Sequence, residues 1–200
     1  MNRLLLILIL TFSFQSWTKA DDIRDFVIGK FTLDKSLLNY LNKKELINNW
    51  MSQKHTYGFT SKKYYKFGFW DADAEPYDSI VIYSRKNDEL FKIQSITGIR
   101  KDMNINNCYI EMISVSNEIS KLFPSTAKTS NGPFKKKVDP SGDSTEKNIN
   151  FRFIDGSAAG LSCLDYGAKF SKKNSWATDH MQIYLDTKNY SNWLTNEAWK

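Results

Sequence analysis

Residues 106–123, Asn-Asn-Cys-Tyr-Ile-Glu-Met-Ile-Ser-Val-Ser-Asn-Glu-Ile-Ser-Lys-Leu-Phe, decide the fold. Cys108, Met112, Val115, Ile119 and Leu122 recur at steps of four, three, four and three, which is one face of a 3.6-residue helix. Pro124 lies just past the last apolar position and stops the pattern. A helix with a single apolar face needs an apolar surface to lie on, and strand patterns stand on both sides of it. Upstream, Tyr65, Phe67 and Phe69 alternate with Tyr64, Lys66 and Gly68, and a turn follows over 71–76. Residues 79–85 are β-branched and aromatic, Asn87-Asp88 turns the chain, and 90–99 reads as a third strand, completing an antiparallel meander.

Downstream, strands are predicted over 148–154, 160–166 and 180–186. Ile149, Phe151 and Phe153 share a face of the first, and Met181, Ile183 and Leu185 share a face of the last. The polar stretch 125–148, with its Gly and Pro, is predicted to be a long loop. Before the first strand, residues 33–51 read as one helix or two short ones. Leu33, Leu37, Leu38 and Leu41 form a stripe with Asp34 as N-cap. Asn42 with Glu45 resembles a capping box that restarts the helix and turns Leu46, Ile47, Trp50 and Met51 inward. A terminal helix from Ser191 would pack Trp193, Leu194 and Trp199. The order is helix, three strands, helix, three strands, helix. It predicts an α+β fold: an antiparallel sheet of about six strands, or two three-stranded meanders, packed on one face by two or three helices.

A length of 200 residues with 41% hydrophobic and 14% aromatic content supports a real core and excludes wholesale disorder. Two cysteines exclude a disulfide framework. The leader, residues 1–20, carries Arg3, an apolar run from Leu4 to Phe14 broken by Thr11 and Ser13, and the ending Thr18-Lys19-Ala20. That pattern predicts a signal peptide cut between Ala20 and Asp21, leaving residues 21–200 as one domain whose lobes, if any, would be 21–105 and 106–200. The apolar run is short of the ~20 residues that span a bilayer, so no stable membrane insertion is expected after cleavage; an uncleaved anchor is the alternative. A periplasmic or secreted protein is expected. The net charge of +6 includes Arg3 and Lys19, so removal of the leader lowers it by two. Lysines far outnumber arginines, whereas phosphate reading favours Arg forks, and nucleic-acid binding is not expected. The run Lys135-Lys136-Lys137 suits a solvated loop or a strand edge that resists sheet-to-sheet association.

Ile28-Gly29, the stretch from Leu37 through Tyr40 to Glu45, Thr97-Gly98-Ile99, Cys108-Tyr109, Cys163 and Asp165-Tyr166 together resemble a group of small secreted proteins of marine bacteria with compact, AT-rich genomes. The resemblance covers most of the chain beyond the leader. It implies export and a pairing of the two cysteines, and it implies no activity. In topology alone, the first half is similar to helix-helix-three-strand envelope modules, which says nothing about function.

From the residues themselves, a lone buried cysteine pair in an oxidising compartment closes, so Cys108 and Cys163 are expected to tie the central helix to a strand. Free thiols, or a catalytic or metal-binding Cys, are the open alternatives. Two Cys and two His (His55 and His180) match a zinc ligand inventory, yet no pair has the close spacing of a zinc site. Asp139 through Ser144 alternate oxygen ligands as calcium loops do, but the glycine falls too early and Asn150 stands where a Glu should; a polar turn fits better. No cofactor is expected. Asp165, on a strand face with Leu161 and Cys163, is the carboxylate most exposed to a shifted pKa, and Asp179-His180 beside Cys163 could be drawn as a hydrolytic triad. Trp70 and Trp176, near turns, are candidates for an exposed ligand rim along with Asp165 and His180. Lacking a nucleophile elbow, metal spacing or phosphate loop, the chain is expected to be a non-enzymatic binding module of the cell envelope, holding a protein or small ligand on a sheet face or strand edge. The alternative is a small exported hydrolase or redox protein using Asp165, Cys163 and His180.

Overall fold

The computed structural model describes residues 22–53, 63–70, 74–101 and 103–200. The leader with its Ala20–Asp21 junction, His55, and the start of the turn after Trp70 lie outside the described residues, as do the side chains of Trp50 and Met51. Seven strands form one sheet: β3 Tyr64–Trp70, β4 Ser79–Arg85, β5 Ile93–Lys101, β6 Ala127–Lys135, β7 Thr145–Arg152, β8 Ala158–Asp165 and β9 His180–Asp186. Their spatial order is β3-β4-β5-β9-β8-β7-β6, and every neighbouring pair is antiparallel. The chain is therefore an α+β protein made of two meanders. The last strand of the second meander, β9, zips onto the last strand of the first, β5, with Ser95 opposite Asp186 and Lys101 opposite His180. A two-stranded hairpin, β1 Val27–Ile28 and β2 Phe31–Thr32, packs against β5.

Among the described residues there are four α-helices: α1 Lys43–Gln53, α2 Ile105–Leu122, α3 Ala168–Lys173 and α4 Lys188–Asn196. The capping box closes as the sequence suggests: the Glu45 amide donates to Asn42 Oδ1 and the Asn42 amide to the Glu45 carboxylate, each at 3.0 Å. Ahead of it the chain makes only a 3-10 turn, Leu37–Asn39, capped by Ser36 and not by Asp34, which adopts a left-handed backbone with φ of 61°. Leu46 points into the core whereas Ile47 is exposed, because α1 lies against the sheet chiefly along β3.

The central helix α2 lies over β8 and β9. It buries Cys108, Met112 and Ile119 as its spacing predicts, and adds Ser116. Asn104 caps it, accepting from the Asn106 amide at 3.0 Å. The face it covers is the main core, where Phe67, Phe69, Ile80, Ile82, Ile96, Leu185, Leu161, Ile149 and Phe151 fall on successive strands in register. The expectation of helices on one face alone needs correction. Helix α4 packs its Tyr190 and Trp193 on Tyr64 and Tyr83, which belong to the opposite face.

The predicted loop over 125–148 is also corrected. Residues Ala127–Lys135 form an edge strand and only the turn beyond it is irregular. All nine of its residues are exposed, so it has no buried face and none of the alternation from which strands are read. Pro133 sits where the register with β7 shifts, a position the ladder tolerates at an edge. At the other edge the Asn49 side chain pairs with Gly68, accepting from its amide at 3.0 Å and donating to its carbonyl at 2.6 Å. That contact occupies backbone groups through which another strand could add.

Candidate functional site

Cys108 and Cys163 are joined in a disulfide with Cα atoms 5.9 Å apart, tying the first turn of α2 to the middle of β8. The bond consumes the only thiols in the chain. His180 is opposite Leu164 in the β8–β9 register while Cys163 is opposite Met181, so the imidazole and the sulfur project from opposite faces of the sheet. Asp165 is half-buried, and its pKa is raised by desolvation and by the neighbouring Asp179. The structure does not bring Cys163, His180 and Asp165 together as nucleophile, base and orienter.

His180 is committed to its neighbours. Its Nδ1 lies 2.7 Å from the Thr178 carbonyl and its Nε2 lies 2.8 Å from the Gln182 amide nitrogen. Nδ1 must donate to the carbonyl, which leaves Nε2 to accept from Gln182 and fixes that side chain's orientation. Burial lowers the pKa of His180 and favours this neutral form. Trp176 is exposed, but it meets Tyr166 and Phe170 edge-on at 5.9 and 5.6 Å, so part of the expected rim is taken up by its own packing. Trp70 is exposed at the end of the β3 edge strand. The Asp139 turn holds its own carboxylate: the amides and hydroxyls of Ser141 and Ser144 all donate to it, lowering its pKa to about 2. Among the described residues no cluster of three or more His, Cys, Asp or Glu could hold a metal ion.

A concave feature with convergent polar groups is a cleft of about 630 Å³ on the sheet face opposite α2. Its floor is the outward side of five strands: Thr97 on β5, Gln182, Tyr184 and Asp186 on β9, Ser162 on β8, Asn148, Asn150 and Arg152 on β7, and Thr129 on β6. Helix α4 walls one end with Tyr190, Ser191 and Leu194. The polar groups hold one another in place. The Tyr184 hydroxyl donates to Asn150 Oδ1 at 2.5 Å, and Asn150 Nδ2 donates to Asn148 Oδ1 at 3.2 Å. Arg152 donates from Nη1 to the Ser191 hydroxyl at 2.7 Å and to the Gly156 carbonyl at 3.3 Å, clamping β7 to α4.

Within the floor, Gly160, Tyr184 and Asp186 stand out. Gly160 is directly opposite Tyr184. A Cβ on Gly160 would lie 2.3 Å from both Cζ and Oη of Tyr184 and 2.5 Å from Cε1, distances that put it over the face of the phenol ring. The ring therefore lies flat on the backbone of β8, which only a glycine permits. Asp186, 4% exposed, is the buried carboxylate of the site. Desolvation pushes its pKa up to about 7, against the opposing influence of a hydrogen bond with Ser95 and of the Arg152 charge. Ser95 also bonds Tyr190, which in turn meets Tyr83, and burial raises the pKa of both phenols, that of Tyr83 to about 12.

Gly160→Ala is expected to lift the Tyr184 ring off the sheet and to destabilise the fold by about 1–3 kcal/mol, the usual cost of overpacking. The cost should shrink in a Tyr184→Ala background, where the clashing ring is gone. A double-mutant cycle by urea unfolding checks this; an equal cost in both backgrounds would refute the flat ring.

Comparison of the chain with protein-family models, with curated proteins and with solved structures gave no match in any of the three. Asp186, Tyr184, Asn148, Asn150 and Arg152 were not singled out by the sequence. Their signal was present in the complementary register: if Ile149 and Phe151 face the core, then Asn148, Asn150 and Arg152 face away from it, and the same holds for Gln182, Tyr184 and Asp186.

Proposed function

We propose that the chain is an exported, non-enzymatic binding module of the cell envelope that holds a small polar ligand in the cleft on the polar face of its sheet. The observation that carries the proposal is the network just described. Side chains from β7 and β9 converge on one concavity, and mutual hydrogen bonds through Asn150, Gln182 and Arg152 fix them, so a ligand meets a surface already ordered for it. The disulfide supports export, since such a bond persists in oxidising compartments. Among the described residues no helix is long and apolar enough to cross a membrane. Against the hydrolase alternative stands the chemistry of Cys163, whose sulfur is bonded to Cys108 on the face away from His180, and against the redox alternative stands the burial of both half-cystines, which keeps an attacking thiolate from the bond.

The test is a thermal-shift screen of the chain purified from the periplasm, against sugars, amino acids, short peptides and nucleosides. A ligand that binds only the folded state at 100 times its Kd stabilises by about 2.7 kcal/mol, a readily measured shift. The expected result is at least one class that raises Tm in the wild type and fails to do so in Gly160→Ala. Hits that raise Tm equally in both proteins, or no hits in any class, would reject the cleft as the site. Fractionation checks the compartment: a chain found unprocessed in the cytosol would reject export.

A further inference from the structure

We infer that the ligand of the cleft is a carbohydrate whose pyranose ring stacks on the open face of Tyr184 while the surrounding amide and hydroxyl side chains take its hydroxyls. The inference rests on the cleft being a binding site and names the class of molecule it holds. The first ground is the platform. One face of the Tyr184 ring is pressed on Gly160, its hydroxyl is tied to Asn150, and the partly buried side chain lines the cleft, so the other face is the one a ligand meets. The ring is held by sheet backbone and one hydrogen bond and has little rotamer freedom to lose when a ligand stacks on it. The axial C–H groups of a sugar ring present a slightly positive apolar surface to the negative face of an aromatic ring.

The second ground is what surrounds the platform. Thr97, Thr129, Asn148, Asn150, Ser162 and Gln182 are all uncharged, and each presents donor and acceptor capacity together, as a sugar hydroxyl does. The third ground is charge. The formal charges near the floor are few: Glu146 is paired with Lys136, and Arg152, held by Ser191 and the Gly156 carbonyl, acts on the buried Asp186. An anionic ligand would have to compete with Asp186 for the Arg152 guanidinium, whereas a neutral polyol needs no cation. A nucleobase could stack as well, but the amides and hydroxyls flanking the ring suit a rim of hydroxyls, and the cleft's volume lies within the range of small-ligand sites.

The experiment is a ¹⁵N–¹H NMR titration of the disulfide-intact chain with five probes: maltose, cellobiose, N,N′-diacetylchitobiose, adenosine and triglycine. The expected result is saturable shifts with at least one disaccharide, centred on the backbone amides of Thr97, Thr129, Asn148, Asn150, Gln182 and Tyr184. Tyr184→Phe, which keeps the ring, should retain that affinity within about threefold. Tyr184→Ala should weaken it about tenfold or more, in line with what one stacking contact contributes. Should Tyr184→Ala fail to fold, the wild-type shift map decides alone. Shifts at the same amides with adenosine or triglycine and none with the disaccharides would overturn the carbohydrate assignment while leaving the cleft a binding site. Disaccharide shifts mapping elsewhere would also overturn the assignment, and silence from all five probes would overturn both proposals.

Discussion

Reduction of the Cys108–Cys163 bridge is expected to lower the unfolding free energy by about 4 kcal/mol, the chain-entropy value for a closed loop with a separation of 55 residues. The closed loop runs from the first turn of α2 through β6 and β7 into β8, so the crosslink restricts much of the second meander in the unfolded chain. In the native state both half-cystines are essentially without solvent contact, Cys108 on the buried face of α2 and Cys163 opposite Met181. Two separate thiols need more room than a bonded pair, so reduction adds a packing cost within a close-packed core. For a chain of this size the loss corresponds to a fall in Tm of roughly 8–16 °C. Urea unfolding with and without reductant measures it, and the Cys108→Ala/Cys163→Ala double variant separates crosslink from thiol packing. If the reduced and oxidised proteins share one midpoint, the bridge does not stabilise the chain.

The parts of the fold legible in the sequence are those where one side of an element is buried. Helix α2 shows its period because Cys108, Met112 and Ile119 must all reach the sheet, and β4 and β9 show theirs because Ile80, Ile82, Met181 and Leu185 must reach the core. Strand β6 is illegible for the converse reason: exposed on both sides, its residues obey no alternation, and its place is set by the ladder to β7 alone. The joining of the meanders through β5 and β9 pairs residues as distant as Ser95 and Asp186, or Lys101 and His180, which no local pattern encodes. The cleft was half legible. Alternation places Asn148, Asn150, Gln182, Tyr184 and Asp186 on the non-core side of their own strands, but their convergence depends on the order β9-β8-β7, and the flat Tyr184 ring depends on Gly160 standing opposite it. The reactive side chains that stand out in the sequence, Cys163 and His180, have their chemistry consumed by a disulfide and by two hydrogen bonds.

The same buried carboxylate that marks the cleft should dominate the pH dependence of stability. Asp186 is held with a pKa of about 7 in the fold, against an ordinary value of 3.8. Between those two values the native chain binds a proton that the unfolded chain has released, so stability falls as pH rises. The contribution is fully present below about pH 4, is lost progressively as pH climbs through about 7, and above that the ionised Asp186 destabilises the fold by at most about 4 kcal/mol. The groups facing it are Arg152 across β8, Ser95 on β5, Tyr83 on β4 and Tyr190 on α4, with Tyr184 two residues away on its own strand. Of these only Arg152 carries a charge near neutrality, and it is partly engaged by Ser191, so it offsets the desolvation incompletely. Asp22 and Asp139 act in the opposite sense. Their lowered pKa values give stability that is present above about pH 4 and is lost as pH falls below it, which puts the expected optimum on the acid side of neutrality. Asp186→Asn keeps the shape and the bond to Ser95 without the ionisation. It should flatten the decline between pH 5 and 8 and leave the variant more stable than the wild type at pH 8. Urea midpoints at a series of pH values measure both slopes. Parallel curves for the two proteins would mean that Asp186 ionises freely in the fold and that its site is wetter than the packing of β9 against α4 implies.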